Sequence, residues 1–544
     1  MAALLLAVLP MRDLWTPDEP DFAQCVKEMR LRGDWLLPYL NGVPYSEKPI
    51  LYYWVMKASA VLMDALTGGL GFTQGVAAWA LRLPSALVSV AFLSAFRRWT
   101  ERFLEPGLSG PAALILATTP LWFWQSQFIQ IDMLFTALLA WSWLCWLAGY
   151  LLLRGSAAPA GEEEHRRWFL KAYVWLALAF LAKGPLAPVL SVLLLAAFLT
   201  WQRDFSALRR AGLFAGLALI ALLVAPWYVA AGWRGGARYA YELIIFQNVE
   251  RATRAWDHIH PWWKYGEYIL GDFFPWVLLL PAALLRLRRE KRLADPSRRF
   301  LLLAFLVPLV FLSLVQSKQG KYLLVVYPFL ALLVADLLRE AEPARARRLG
   351  GWLAGGLALP AAALTALALG AGGSGLQAQV APFRMPLCVL AAVMAAGTFY
   401  VLAQAVRGRG ERLIAGAAFT LGSLYLLGGT WGFRLLDPLK SYRRWTTAVQ
   451  PHIRGRQVFT WQTIRSGFMV YTDHIMPELR SAEALERMDP EARLVARRGD
   501  WEQDAWGMTP AFRGRFEVVL SVPTGGDEIL LLKKRSRSDR QEAP

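Results

Sequence analysis

The chain has 544 residues, 56% of them hydrophobic, with 25 tryptophans and a formal net charge of +18. A soluble domain is about 45–50% apolar, so this excess sets aside a soluble globular enzyme and points to a membrane protein. The arginines sit in short loops between apolar runs, which reads as the positive-inside rule rather than as a nucleic-acid surface.

The apolar runs recur at roughly 17–25 residues, the length that spans a hydrocarbon core. The first, Ala2–Pro10, lacks the basic start and small-residue cleavage site of a signal peptide and reads as a first transmembrane helix with a clipped or misassigned start. A long polar stretch, Thr16–Trp54, follows. Ile50–Leu66 is amphipathic and Tyr/Trp-rich at its start, which predicts a helix lying in the interface. Further spans are predicted at Trp79–Phe96, Ser109–Phe128, Asp132–Leu153, Phe169–Ala182, Leu186–Thr200, Ala211–Ala231 and Tyr268–Leu285. The last five are Phe300–Gln316, Tyr322–Leu338, Gly350–Leu369, Pro386–Val406 and Leu413–Phe433, making about thirteen.

Loop charge tests that count. Arg97–Arg102, Arg154–Arg167, Arg203–Arg210, Arg286–Arg299, Arg339–Arg348 and Arg407–Arg412 each carry at least three Arg or Lys, and all fall on one side. That side is then cytoplasmic. The Thr16–Trp54 stretch, the Gly232–Glu267 loop, the Ser317–Lys321 turn and the C-terminal tail share the opposite face. From Asp437 the composition becomes ordinary and mixed. Gln457–Thr460, Phe516–Val522 and Glu528–Lys533 read as strands, the last two joined by a turn at Thr524-Gly525-Gly526-Asp527, and Ser481–Arg487 reads as a short helix. The expected architecture is an α-helical polytopic membrane protein with a small periplasmic α/β domain. The transmembrane domain covers residues 1–435, with a periplasmic loop at 12–78, and the α/β domain covers 436–544. Cys25, Cys145 and Cys388 show no zinc or disulfide spacing and read as packing residues.

Several polar residues stand where chemistry is worth considering. Asp18 and Glu19 lie just outside the first span. They either cap the helix predicted over Asp21–Leu31 or take a proton from an acceptor hydroxyl. Asp132 follows an unusual polar run, Gln125-Ser126-Gln127, and either caps the next helix or faces a polar cavity. Glu47 and Lys48 are either a surface ion pair or ligands, with Lys48 on a phosphate and Glu47 on a partner or metal. Lys183 lies between two spans on the same face, and Lys318, Lys321 and Tyr322 lie in another turn there. Lysines on the face away from the cytoplasm oppose the positive-inside bias and call for an anion; a lipid-linked phosphate is the natural one. His258 and His260 either bind metal with Glu47 or pack beneath an aromatic belt that includes Trp262 and Trp263.

Taken in order, these motifs resemble a known family. They are Asp18-Glu19; Tyr45-Ser46-Glu47-Lys48-Pro49; Asp132; Leu181-Ala182-Lys183-Gly184-Pro185; Asn248-Val249-Glu250-Arg251 with His258-Ile259-His260-Pro261; and Ser317-Lys318-Gln319-Gly320-Lys321-Tyr322. Over roughly residues 1–435 the chain resembles the bacterial membrane glycosyltransferases related to aminoarabinose lipid A transferase and, more distantly, to protein O-mannosyltransferases. The resemblance implies the C-type glycosyltransferase fold and a polyprenyl-phosphate-linked sugar as donor. The acceptor would be lipid A, another glycolipid or a protein, reached from the periplasmic face of the inner membrane. It implies that Asp18, Glu19 and Asp132 are the acidic site residues. Lys48, Lys183, Lys321, Tyr322 and Arg251 would meet the donor phosphate, and Glu47 with His258 would form a divalent-metal site. Two positions depart from the family pattern. Asp21 stands where the aminoarabinose enzymes carry Arg, and Lys321-Tyr322-Leu323-Leu324-Val325 replaces a Lys-Leu-Pro-Thr-Tyr pattern. A transporter or flippase for a lipid-linked sugar is the rival reading. It explains less well why the acidic residues share one face, since alternating access wants them near the midplane.

Overall fold

The computed structural model describes residues 2–72, 75–156, 163–250, 258–339, 341–462, 466–503, 508–524 and 527–535. In chain order, α1 (Asp18–Leu31) and α2 (Leu51–Thr67) occupy the first polar region. Then come α3 (Ala78–Phe103), α4 (Ser109–Ala117), α5 (Pro120–Ser126), α6 (Ile131–Leu153), α7 (Glu164–Lys183) and α8 (Leu186–Gln202). These are followed by α9 (Leu213–Tyr241), α10 (Lys264–Asp272), α11 (Pro296–Leu314) and further helices to Ile453.

Eight helices among the described residues are long and apolar enough to cross a membrane, or nine if a pair bent by 111° is one crossing. The chain is thus a multi-pass membrane protein. Helices stand at every position where a span is expected, but several are short or broken. The expected Ser109–Phe128 span divides into α4 and α5 at Thr118-Thr119, ahead of Pro120. The expected Tyr268–Leu285 span bends between α10 and Trp276–Arg289, around Pro275. Proline removes a donor and clashes with the preceding turn, so a hydropathy run need not be one straight helix. Cys388 corrects the packing expectation: Cys25 and Cys145 are buried, but Cys388 is exposed.

The chain divides into two compact units. The first holds residues 1–8, 46–52 and 82–432, and the second holds 9–45, 53–81 and 433–544. In the first unit, α6 and the helical stretch Gly320–Arg339 are the most enclosed, with 83% and 89% of their apolar stretches surrounded by protein. Trp143 of α6 donates to Ser191 of α8 at 2.8 Å, and Ser142 donates to the Ala172 carbonyl of α7 at 2.8 Å. The polar run before α6 is enclosed by protein rather than lipid: Gln125, Ser126 and Gln127 are buried, and Gln127 donates to the Leu5 carbonyl at 3.0 Å.

The second unit contains a five-stranded sheet. Its strands are β1 (Val458–Trp461), β2 (Glu478–Leu479), β3 (Arg493–Arg497), β4 (Phe516–Thr524) and β5 (Asp527–Lys534), in the order β2-β1-β3-β5-β4. β1 runs parallel to β2 and β3, while β5 is antiparallel to β3 and β4. Alternation of period two sends successive side chains to opposite faces. Leu494, Ala496, Leu530 and Leu532 therefore enter one core with Trp461 and Trp501. Val495, Ile529 and Leu531 enter another with Trp445 and Phe468.

Candidate active site

In the first unit the sequence brings several distant motifs to one cavity of about 240 Å³. Glu47, Lys48, Lys183, Gln247, Ser317 and Tyr322 line it, alongside Leu186, Val189, Leu243, Phe311, Leu312 and Val315. Charged groups and helix-borne aliphatic side chains thus share one wall.

Local backbone chemistry places each group. α7 ends at Gly184, whose φ of 84° and ψ of −155° are costly for any residue with a Cβ. Pro185 follows, and α8 begins at Leu186, so Lys183 is left on the last turn of one helix beside the first turn of the next. The Lys183 ammonium donates to Asp132 Oδ1 on the first turn of α6, with side chains 11% and 4% exposed. It also lies 4.5 Å from the centre of the Tyr322 ring and 5.1 Å from that of Phe135, within cation–π range. Lys321 and Lys48 attract the same carboxylate through space. The Glu47-Lys48 motif is anchored from one residue upstream, where Ser46 Oγ donates to Glu242 Oε2 at 2.7 Å.

The two histidines act here through their backbone. Ile259 bridges Ser317 in antiparallel fashion, Lys318 N donates to the His258 carbonyl at 2.9 Å, and His260 N donates to Gln316 O at 3.3 Å. Lys318 is buried, and its ammonium donates to the His260 carbonyl at 3.0 Å and to the carbonyl of Val315. Burial holds its pKa below the usual lysine value. Lys318 thus fastens the turn that presents Ser317 and Tyr322, a role its sequence gave no means of separating from that of Lys321. Glu47 and His258 supply two donors where zinc takes four. No group of three or more His, Cys, Asp or Glu gathers among the described residues, so these residues do not by themselves make a metal centre. Arg251 lies outside the described residues.

Asp18 and Glu19 belong to the second unit. They open α1, whose first turn carries Asp18, Glu19 and Asp21, where a helix dipole favours negative charge. Asp18 is the first helical residue, after Pro17, and is half-buried. Glu19 is fully buried and accepts from both terminal nitrogens of Arg12, at 3.1 Å for Nη2, and from the Trp15 amide at 2.9 Å. Arg12 lies 4.4 Å from the Trp15 ring centre. Trp15 Nε1 and Asp13 N donate to Asp437 Oδ1 at 2.8 and 2.9 Å. Two turns further along α1, Lys27 donates to the carbonyls of Met469 (3.0 Å), Val470 (3.4 Å) and Thr472, and burial pushes its pKa down to about 8. Asn41 and Met476 exchange hydrogen bonds at 2.8 and 2.9 Å. None of these long-range partners is visible from residue type or spacing.

Known proteins resemble this chain in sequence and in fold. The dolichyl-phosphate-mannose-protein mannosyltransferase family matches residues 1–238. The undecaprenyl phosphate-α-4-amino-4-deoxy-L-arabinose arabinosyl transferase 1 of Pseudomonas fluorescens Pf0-1 is 31% identical over 332 residues, 60% of this chain and 54% of that protein. The corresponding transferase of Pseudomonas paraeruginosa is 34% identical, over 67% of this chain and 63% of that one. ArnT from Cupriavidus metallidurans, crystallised bound to undecaprenyl phosphate, superposes with a TM-score of 0.75 at 19% identity, covering 97% of this chain and 96% of that one. The chain therefore has the fold of that crystallised protein. In sequence the chain is similar to the aminoarabinose transferases over about two thirds of its length. It spans 54% of the length of the first curated relative it matches.

Proposed function

We propose that the protein moves a sugar from a polyprenyl-phosphate donor to an acceptor at the periplasmic face of the inner membrane, and that the sugar is aminoarabinose and the acceptor lipid A. The cavity carries this reading, because it pairs a cationic lining with an aliphatic one. Lys48 and Lys183 share the lining with Glu47, a surplus of one positive charge, and Lys321 joins them in attracting Asp132. A phosphodiester brings one negative charge, and its prenyl tail suits Leu186, Val189, Phe311 and Leu312. The relatives' names supply the sugar and its undecaprenyl-phosphate carrier, and the acceptor follows from the family resemblance.

In the proposed step the acceptor oxygen attacks the anomeric carbon as the bond from that carbon to the phosphate oxygen breaks. The configuration inverts, the acceptor proton passes to Asp18, and the electron pair leaves with the polyprenyl phosphate. The lysines stabilise the charge growing on that leaving group. Asp132 holds Lys183 in place. No nucleotide site is needed, because the donor arrives within the membrane. The proposal divides the chain into a transmembrane catalytic domain over 1–435 and a periplasmic α/β domain over 436–544. It keeps thirteen crossings, with the short and broken helices completing the eight long ones.

The test is mass spectrometry of lipid A and total glycolipids from cells with and without the gene, complemented by wild type or by Asp18→Asn. Loss of a pentosamine mass, restored by wild type and not by an equally abundant Asp18→Asn, supports the proposal. An unchanged lipid A with another glycan missing replaces the substrate. A lipid-linked sugar accumulating on the cytoplasmic side, with no glycan lost by transfer, replaces the enzyme with a flippase. Normal transfer by Asp18→Asn removes that residue from the mechanism.

A further inference from the structure

A second cavity in the first unit, about 700 Å³, lies between α3 and α4 on the face that carries the basic loops. Arg97 and Arg98 line it from the last turns of α3, and Val90 and Leu93 lie one to two turns deeper on the same helix. Across the groove α4 presents only small and aliphatic groups, Gly110, Ala113, Leu114 and Ala117. A Cβ added at Gly110 would meet nothing within 4 Å, so the floor is open there.

The two arginines differ from their neighbours. Arg102, on the next turn, pairs with Glu164; Arg154 pairs with Asp204, and Arg339 with Glu105. Arg97 and Arg98 are exposed and take part in no ion pair among the described residues. Glu101, the carboxylate of the groove, is engaged at 2.6 Å by Ser109 Oγ. The groove therefore sets two guanidinium groups against one carboxylate, a surplus of one positive charge, at the end of an apolar helix, with an aliphatic trough running inward from them. Guanidinium matches phosphate in shape as well as charge, and the size is that of a small-ligand site.

We propose that this groove is a binding site for an anionic phospholipid, with its phosphate at Arg97 and Arg98 and an acyl chain along Val90, Leu93 and Ala117. The site is separate from the donor cavity, with which it shares no lining residue.

Native mass spectrometry of the full-length protein, delipidated in detergent and offered phosphatidylglycerol or phosphatidylethanolamine, tests this. Each net basic charge near a membrane surface favours anionic lipid by about 1 kcal/mol, so a surplus of one gives a preference of about fivefold for phosphatidylglycerol. Arg97→Gln/Arg98→Gln should abolish that preference, while Arg407→Gln/Arg409→Gln, on another basic loop, should keep it. Gly110→Leu, which fills the floor and leaves both charges, should lower retention of phosphatidylglycerol. Equal retention of the two lipids by wild type overturns the proposal, as does an unchanged preference in Arg97→Gln/Arg98→Gln. A dimer that Gly110→Leu converts to monomer also overturns it, because the groove would then seat a second copy.

Discussion

Glu19 stands next to the proposed catalytic Asp18, yet its surroundings describe a different task. Its buried carboxylate receives two hydrogen bonds from Arg12 and one from the Trp15 amide. Replacing it with glutamine keeps the shape, removes the charge and points an N–H group at a guanidinium that is itself 1% exposed. Breaking one side of a buried ion pair costs about 3–5 kcal/mol, since the remaining charge stays desolvated. For a unit of this size each kcal/mol moves the melting temperature by about 2–4 °C, so Glu19→Gln should melt roughly 10 °C below wild type in detergent, followed by tryptophan fluorescence. Arg12→Leu/Glu19→Leu, with no stranded charge, should regain most of that loss. Asp18→Asn should melt with wild type. A Glu19→Gln protein that melts normally refutes the structural reasoning. If that protein is also inactive, Glu19 belongs to the chemistry, as its sequence position first suggested.

Lys27 predicts a pH effect. Its folded pKa, about 8, is below the ordinary value of 10.5, so burying the charged form penalises the fold in full below about pH 8. The penalty fades as pH rises toward 10.5; wild type should gain up to about 3 kcal/mol over that window, and Lys27→Met should show no such gain in melts from pH 7 to 10. Lys183→Met strands Asp132 and withdraws a charge from the leaving phosphate; kcat/KM for sugar transfer should fall by about 10²–10³, and a smaller effect than tenfold would argue against phosphate contact. Gly184→Ala forces a side chain into a φ of 84°, with a cost of about 1–3 kcal/mol, and should lower transfer by displacing Lys183. Equal transfer by Gly184→Ala would show that the junction tolerates the change.

Much of the helical layout was legible because hydropathy runs report burial in lipid or protein whatever the partner. The count was less so. Thr118-Thr119 and Pro275 interrupt runs that read as continuous, and such breaks depend on what satisfies the freed backbone groups. Lys48, Lys183 and Tyr322 could be read together because lysine on the wrong face of a membrane is a departure from expectation. Lys318 shares that departure but spends its charge on two carbonyls, a distinction set by a strap sixty residues upstream. Asp18 and Asp132 each had a capping alternative. For Asp132 the carboxylate goes to Lys183 instead, and no spacing rule links residues on different helices. Glu19 and Arg12, close in sequence, were not read as a pair because nothing local marks both as buried.

The second unit joins residues 9–45 to residues 433–544. Trp15 and Asp13 end on Asp437, Lys27 on the carbonyls around Met469, and Asn41 on Met476. A ribosome adds about 5–20 residues per second, so the acidic segment emerges roughly 20–80 s before the residues that hold it. Through that interval the membrane helices are inserted while Asp18 waits outside any finished structure. The protein therefore matures last at the place where it was begun, and a chain cut short before Asp437 would keep the residues of the first unit, including the cavity lined by Lys48 and Lys183, but lack Asp437, on which Asp13 and Trp15 end.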